Sequence, residues 1–170
     1  MITLLAALTL QPAAPPAPPP LRPPATDAER AADRAVRAAT GSFLSAKQEG
    51  RFDEAWAMLA SERQARRPRD AWAEAARDFG SQAGTFRSRR LTGVSFHENP
   101  GGVQGYFAAV EYDADYSNLA FMCGIVIWKR QPDGGWLVFR ESVSAALLAD
   151  VPNPTPEAIA EGRRQAQCRD

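Results

Sequence analysis

The chain has 170 residues, a length that fits one domain with tails and allows a sizeable core without a metal ion. Lys and Arg total 20, as do Asp and Glu, so the formal net charge is zero. A balanced charge argues against nucleic-acid and anionic-membrane partners, which favour basic proteins. No apolar run reaches the roughly 18 residues that a membrane-spanning helix needs, so we expect no membrane span.

The N-terminal segment, residues 1–25, has the pattern of an export signal followed by a linker. An apolar run, MITLLAALTL, precedes the proline-rich stretch QPAAPPAPPPLRPPA. The apolar run is typical of the hydrophobic part of a secretory signal peptide, and the proline-rich stretch forms no core. We therefore expect a periplasmic or secreted protein. The alternative is a cytoplasmic protein with a disordered N-terminal tail.

A long helix is the first predicted element after the linker. Thr26 and Glu29 have the spacing of a capping box, and small and apolar residues recur at helical spacing over residues 27–48. Gly50 suits the position just past the end of a helix, where the backbone often turns left-handed. The sequence therefore predicts where this helix begins and ends.

Two shorter helices are predicted before the sheet. Asp53 can cap the second helix, with Phe52 packing in front of it as a hydrophobic staple. Pro68 suits the first turn of the third helix, which we expect to end at Gly80. A tryptophan at helical spacing is more often core than site, so we expect Trp56 to pack against the sheet.

After Gly84 the hydrophobic period changes from 3.6 to 2, which predicts strands. A final helix follows the strands, with Thr155 as its cap and Pro156 at its first position. The four strands are expected within residues 85–96, 103–117, 118–130 and 135–144.

This order of elements predicts an α+β fold: three N-terminal helices packed on a curved four-stranded antiparallel sheet, plus a C-terminal helix. We expect a signal-like segment and linker over residues 1–25 and the α+β domain over residues 26–148. Residues 149–170 should form the C-terminal helix and tail.

The layout resembles the nuclear transport factor 2-like (cystatin-like) superfamily of α+β cones. The helix–glycine–helix stretch FLSAKQEGRFDEAWAMLA is similar to that superfamily's early signature. A closer resemblance, over about residues 30–145, is to an uncharacterised bacterial family, domain of unknown function 4019. It rests on Ala55, Trp56, Ser61, Trp72, Gly84, Arg90 and the hairpin DGGWLVFRES. The superfamily contains enzymes, ligand binders and assembly modules, so the resemblance implies a fold far more than a function.

The two cysteines suggest a disulfide. Cys123 lies in an apolar predicted strand, and Cys168 is the third residue from the end of the sequence. An exported protein permits a bridge between them, which would pin the C-terminal helix to the sheet. The alternative is one buried, inert thiol and one exposed thiol.

A histidine-dependent active site is not expected. His97 is the single histidine and lies in a predicted turn, where a surface role is the usual one. Common metal clusters need several His or Cys ligands, and Ser-His-Asp or Cys-His catalysis would depend on this residue alone. We therefore assign no catalytic residue, no metal site and no cofactor.

An acidic series runs along the second predicted strand. Glu111, Asp113 and Asp115 share one face of that strand. A register in which paired residue numbers sum to 200 places Arg87 opposite Asp113 and Arg89 opposite Glu111. We interpret the series as a cross-strand ion-pair ladder on the solvent face. A cation site or an acid/base site is the alternative.

Charged residues are also expected inside the domain. Arg140 and Glu141 point to opposite faces of the fourth strand, and Arg90 lies on the predicted inner face of the first. We interpret Arg90 and Glu141 as a buried structural ion pair; the alternative is a site, because charged groups in clefts are site candidates. The basic connector, residues 63–69, is interpreted as solvated.

The third and fourth strands carry apolar residues on both faces, so the face away from the helices needs a cover. The C-terminal helix is one expected cover, and a second subunit packed sheet to sheet is the other. A homodimer through the sheet therefore remains an alternative.

These patterns favour an exported, non-enzymatic domain that binds a small apolar ligand inside the cone, or another envelope protein. The residues expected to line the pocket are Trp56, Trp72, Phe79, Tyr106, Tyr112 and Trp128. One alternative is an enzyme of the isomerase or hydratase type, with Glu141, Arg90 and the tyrosines as acid or base candidates. Another is a structural dimerisation module whose interior is filled.

Overall fold

A computed structural model of the chain describes residues 26–169, so the predicted signal-like segment and linker at 1–25 lie outside the described residues. Short 3-10 turns occur at Pro100–Gly102 and Leu148–Asp150. The elements are α1 (Asp27–Gln48), α2 (Phe52–Ala57), α3 (Ser61–Gln64), α4 (Arg69–Ala83), β1 (Phe86–Glu98), β2 (Tyr106–Tyr116), β3 (Leu119–Arg130), β4 (Trp136–Leu147) and α5 (Pro156–Gln165).

The four strands form one antiparallel sheet in the order β1-β2-β3-β4. The α+β prediction, with a C-terminal helix, is therefore confirmed. Four helices rather than three precede the sheet, because the connector contains the four-residue helix α3. Such a helix is barely longer than one turn, too short to show a hydrophobic period. Within residues 26–169, no helix has the length and apolar character needed to cross a membrane.

Two of the predicted helix caps are present in the structure. At the start of α1, Glu29 N–H donates to Thr26 Oγ1 at 3.1 Å and Thr26 N–H donates to Glu29 Oε2 at 3.0 Å, so the capping box is confirmed. At the start of α5, Ala158 N–H donates to Thr155 Oγ1 at 3.2 Å. Both caps satisfy donors that helix ends leave free.

Two other predicted helix ends are wrong. Asp53 does not cap α2, because the helix already begins at Phe52 and its cap position, Arg51, makes no side-chain cap bond. Gly80 does not end α4, which continues to Ala83 and stops at Gly84, whose φ is +81°. An interior glycine is only mildly unfavourable in a helix, whereas a left-handed backbone favours glycine.

The core lies between α1 and one face of the sheet, here called the inner face. Thr40 is buried in it and is satisfied twice: its hydroxyl donates to the Val36 carbonyl at 2.7 Å and accepts from the Trp128 indole N–H at 2.8 Å. The largest fully buried side chains are Trp128, Tyr112, Phe43, Phe107, Val36, Val110, Val126 and Val138. This hydrogen-bond chain holds α1 at one position along β3.

The register of β1 on β2 differs from the sum-200 prediction. A longer turn places Phe96 opposite Ala108, and an irregularity in the pairing between Leu91 and Gly93 shifts the rest of the strand. Such a bulge adds a residue to one strand and moves the residues beyond it to the other face. Arg90 therefore lies opposite Asp113 and Arg89 opposite Ala114.

The acidic series does form ion pairs, but with other partners. Arg90 pairs with Asp113 at 2.8 Å and Arg87 with Asp115 at 3.6 Å. Glu111 pairs with Arg169 at 2.7 Å. The predicted pairing of Arg87 with Asp113 and of Arg89 with Glu111 is wrong, because the turn and the bulge move β1 along β2.

The C-terminal segment covers part of the opposite, outer face of the sheet. Cys123 and Cys168 form the predicted disulfide, with their Cα atoms 5.6 Å apart. Arg163 of α5 pairs with Asp113 at 3.2 Å, and Gly162 lies against the Phe121 ring. The C-terminal helix is thus one cover of this face, as expected.

Replacing Thr40 tests the hydrogen-bond chain in the core. Thr40→Val keeps the shape but leaves the Trp128 N–H without its acceptor, so the free energy of unfolding should fall by about 1–3 kcal/mol. Thr40→Ser keeps the hydroxyl and should lose about 1 kcal/mol or less. Urea denaturation of both variants measures the difference; a valine variant as stable as the wild type would contradict this role.

Removal of the disulfide should destabilise the domain without unfolding it. Cys123 and Cys168 are separated by 45 residues, and chain entropy for a loop of this size gives up to about 4 kcal/mol. We expect Cys168→Ser to lower the free energy of unfolding by about 2–4 kcal/mol and to raise amide exchange in α5. Wild type under reductant is the matched control and should behave alike. Equal stability of oxidised and reduced protein would be the contrary result.

Candidate functional site

A cavity of about 1100 Å³ lies between the helices and the inner face of the sheet. Its wall includes the C-terminal end of α1 at Lys47, α2 at Phe52, α4 from Trp72 to Gly80, and residues of all four strands. This volume is comparable to that of small-molecule sites in proteins. α1 fills one end of the inner face, and the cavity occupies the end that α1 does not reach.

Aromatic rings make up much of the cavity wall. Phe52 packs edge-on against Trp72, with ring centroids 6.4 Å apart. Tyr116 lies between Phe79 and Phe86, at 6.4 Å and 5.4 Å. These rings offer an apolar surface, and Phe79 is 36% exposed, so it is the most accessible of them.

A lysine, a carboxylate and a phenol meet inside the cavity. Lys47 Nζ donates to Glu141 Oε1 at 2.7 Å and to Oε2 at 2.6 Å, and the Tyr112 hydroxyl donates to Oε1 at 3.3 Å. The Lys47 and Glu141 side chains are only 22% and 14% exposed. The two charges neutralise each other, and the lysine engages both carboxylate oxygens.

Tyr112 reaches Glu141 because Gly124 leaves room for its ring. Tyr112 of β2 lies opposite Gly124 of β3. A Cβ on Gly124 would lie 2.5 Å from the Tyr112 ring, so only glycine fits there. The ring therefore crosses β3 and places its hydroxyl beside β4.

Both cavity tyrosines are held in the neutral form. Burial raises the pKa of Tyr112 well above its usual value, and the Glu141 carboxylate raises it further. Burial also raises the pKa of Tyr116, where the nearby Arg89 acts in the opposite direction. At neutral pH both phenols are hydrogen-bond donors rather than anions.

Arg89 is the cation that sequence reasoning placed on the wrong face. Its guanidinium donates to Ser45 Oγ at 2.8 Å and lies 5.6 Å from the centroid of the Phe86 ring. Among residues 26–169, no carboxylate lies within ion-pair distance of this group. The bulge at Leu91–Gly93 turns Arg89 inward. The only sign of this bulge in the sequence is the Thr-Gly pair at 92–93.

The predicted inner ion pair between Arg90 and Glu141 is wrong. Arg90 lies on the outer face, where it binds Asp113 at 2.8 Å. Glu141 does point inward, but its partner is Lys47. The bulge in β1 accounts for the position of Arg90, and the 94-residue separation of Lys47 and Glu141 hides that pair from sequence patterns.

Three of the predicted pocket residues line the cavity and three do not. Those in the wall are Trp72, Phe79 and Tyr112. Trp56 packs against Trp72 with centroids 5.6 Å apart, and Tyr106 stacks on Phe96 at 5.8 Å. Trp128 is fully buried under α1.

Neither His97 nor any acidic cluster forms a metal site in the part of the chain that the structure describes. His97 is exposed and contacts Ser95 Oγ at 2.9 Å. Residues 26–169 contain no group of three or more His, Cys, Asp or Glu side chains arranged to hold a metal ion.

Alkaline titration tests the burial of the tyrosines. The chain has three, Tyr106, Tyr112 and Tyr116, and burial raises the pKa of each. The neutral phenols therefore contribute stability that is complete below about pH 10 and is lost as the pH rises through the native pKa values. The absorbance rise at 295 nm should occur at higher pH in native protein than in urea. Superimposed curves would show that the rings are solvated.

Comparison with known proteins gives one match. The family model described as "Protein of unknown function (DUF4019)" matches residues 39–139, more than half of the chain. No curated protein and no solved structure matches. The matched range contains the bulged β1, the Tyr112–Gly124 contact and Lys47, and it ends two residues before Glu141. The chain belongs to the DUF4019 family.

Proposed function

We propose that this protein is an exported, non-enzymatic binding protein that holds a small, largely apolar molecule in its cavity. The observation that carries the proposal is the cavity itself, about 1100 Å³ in a domain whose remaining inner face is closely packed. A small molecule in this space would bury apolar surface against the aromatic rings of the wall. Aromatic rings beside polar groups that can orient a ligand are typical of ligand sites.

An isomerase- or hydratase-type enzyme is the alternative, and Glu141 is its best candidate base. A general base needs a free lone pair directed at the substrate. Lys47 already binds both Glu141 oxygens, and Tyr112 binds one of them. This arrangement favours a structural and orienting role for the cluster, and therefore binding over catalysis.

A dimerisation module, or a site for another envelope protein, remains a second alternative. The apolar outer face would have supplied the contact area for a sheet-to-sheet dimer. α5 and the disulfide-linked tail occupy part of that face, next to Cys123 and Phe121. The area left for such a dimer is correspondingly smaller, which supports the cavity as the functional surface.

The proposal includes a nuclear transport factor 2-like cone and a location in the periplasm or outside the cell. Helices packed on one face of a four-stranded antiparallel sheet support the first point. The disulfide between Cys123 and Cys168 supports the second, because disulfides persist in oxidising compartments.

Binding of a neutral dye tests the proposal without involving charge. Prodan, an uncharged naphthalene dye, should bind the wild-type protein at one site, with a blue shift of its emission. Ala76 lines the cavity from α4. Ala76→Trp should fill space in the cavity and weaken prodan binding by at least about tenfold, equivalent to about 1.4 kcal/mol.

Ala71→Trp is the matched control, because Ala71 lies on the same helix, is exposed and is not part of the cavity wall. It should bind prodan like the wild type. The absence of saturable binding by the wild type, or equal binding by the two tryptophan variants, would overturn the proposal.

A further inference from the structure

We infer that the ligand of this cavity is an amphipathic carboxylic acid whose carboxylate binds Arg89. The inference rests on the proposed binding function and adds the chemical class of the ligand. The whole chain has a net charge of zero, but the cavity wall carries more cations than carboxylates. The wall carries the cations Lys47, Arg63, Arg67, Arg77 and Arg89, and the carboxylates Glu49 and Glu141.

Both carboxylates of the wall are already neutralised by ion pairs. Glu141 is neutralised by Lys47, and Glu49 lies 2.9 Å from Arg51, which is outside the wall. The four remaining wall arginines have no carboxylate within ion-pair distance among residues 26–169. An anion entering the cavity would therefore meet unpaired guanidinium groups and no unpaired carboxylate of the described wall.

Arg63 and Arg67 belong to the connector that the sequence suggested was merely solvated. Arg63 lies in α3 and Arg67 follows that helix. Both form part of the cavity wall together with Arg77, whose guanidinium lies 5.2 Å from the centroid of the Phe52 ring. Of these three, Arg67 and Arg77 are exposed. Their field attracts anions and supports entry, but exposed charges are screened by salt and add little affinity.

Arg89 is the group placed to hold the anion. It is half-buried, and Ser45 and the Phe86 ring fix its position. A cation removed from water is costly unless it is paired, and the described residues provide no anion for it. A guanidinium presents parallel N–H groups that match the two oxygens of a carboxylate. A ligand carboxylate would supply the missing partner.

The surroundings of Arg89 suit the rest of such a molecule. Tyr116 belongs to the same cavity wall as Arg89, and its O–H, kept neutral by burial, can donate a second hydrogen bond to a ligand. The rings of Phe79, Phe86 and Tyr116 form the apolar surface beside this group. A carboxylate at Arg89 would therefore leave an alkyl or aryl chain against these rings.

Calorimetric titration with decanoate and decan-1-ol tests the inference. The two molecules have the same chain length and differ in the charge of the head group. Decanoate should bind the wild-type protein at least about tenfold more tightly, the effect expected for one hydrogen-bonded charge. Arg89→Gln should weaken decanoate binding by about tenfold and leave decan-1-ol binding unchanged, which also shows that the cavity is intact.

Arg87→Gln is the matched control, because Arg87 lies on the same strand but is exposed, pairs with Asp115 and is not part of the wall. It should bind both molecules like the wild type. Equal affinity for decanoate and decan-1-ol would overturn the carboxylate inference and leave the binding function standing. Binding of neither molecule would overturn both, and an equal loss of decanoate affinity in the two arginine variants would overturn the role of Arg89.

Discussion

The hydrogen bond from the Trp128 indole to Thr40 determines where α1 lies on the sheet, and the rest of the interior depends on that position. Both groups are fully buried, so the bond cannot be exchanged for one with water. Lys47 follows Thr40 by two helical turns and lies on the same face of α1. Holding Thr40 against β3 therefore also brings Lys47 to Glu141, at the point where α1 ends and the cavity begins.

Two details of the sheet then decide the chemistry of the cavity. Gly124 allows the Tyr112 ring to cross β3 and donate to Glu141. The bulge at Leu91–Gly93 exchanges the faces of Arg89 and Arg90, so one arginine enters the cavity and the other pairs with Asp113 outside. The cavity thus holds a neutralised lysine–carboxylate pair and a guanidinium without a carboxylate partner among the described residues. That contrast is the basis of the proposed anionic ligand.

The two faces of the sheet have different roles. On the outer face, Arg163 of α5 pairs with Asp113, and the tail that follows α5 is attached by the Cys168 disulfide and by the pair of Arg169 with Glu111. This closes part of a surface that would otherwise expose apolar strands. β4 is an edge strand of the sheet. Val138 of β4 forms backbone hydrogen bonds with Met58 and Ala60, which protects part of this otherwise free strand edge. With these surfaces partly covered, the aromatic cavity on the inner face is the place at which we propose ligand binding.

The sequence by itself determined the features that depend on neighbouring residues. Thr26 and Glu29 specify the start of α1, the change of period specifies the strands, and the family resemblance agrees with the match over residues 39–139. Tertiary structure alone decided the partners of Glu141 and the inward turn of Arg89. Lys47 and Glu141 are 94 residues apart, and the face of Arg89 depends on one inserted residue in β1. Local patterns report backbone preference, whereas register and long-range pairing are set by how whole elements pack together.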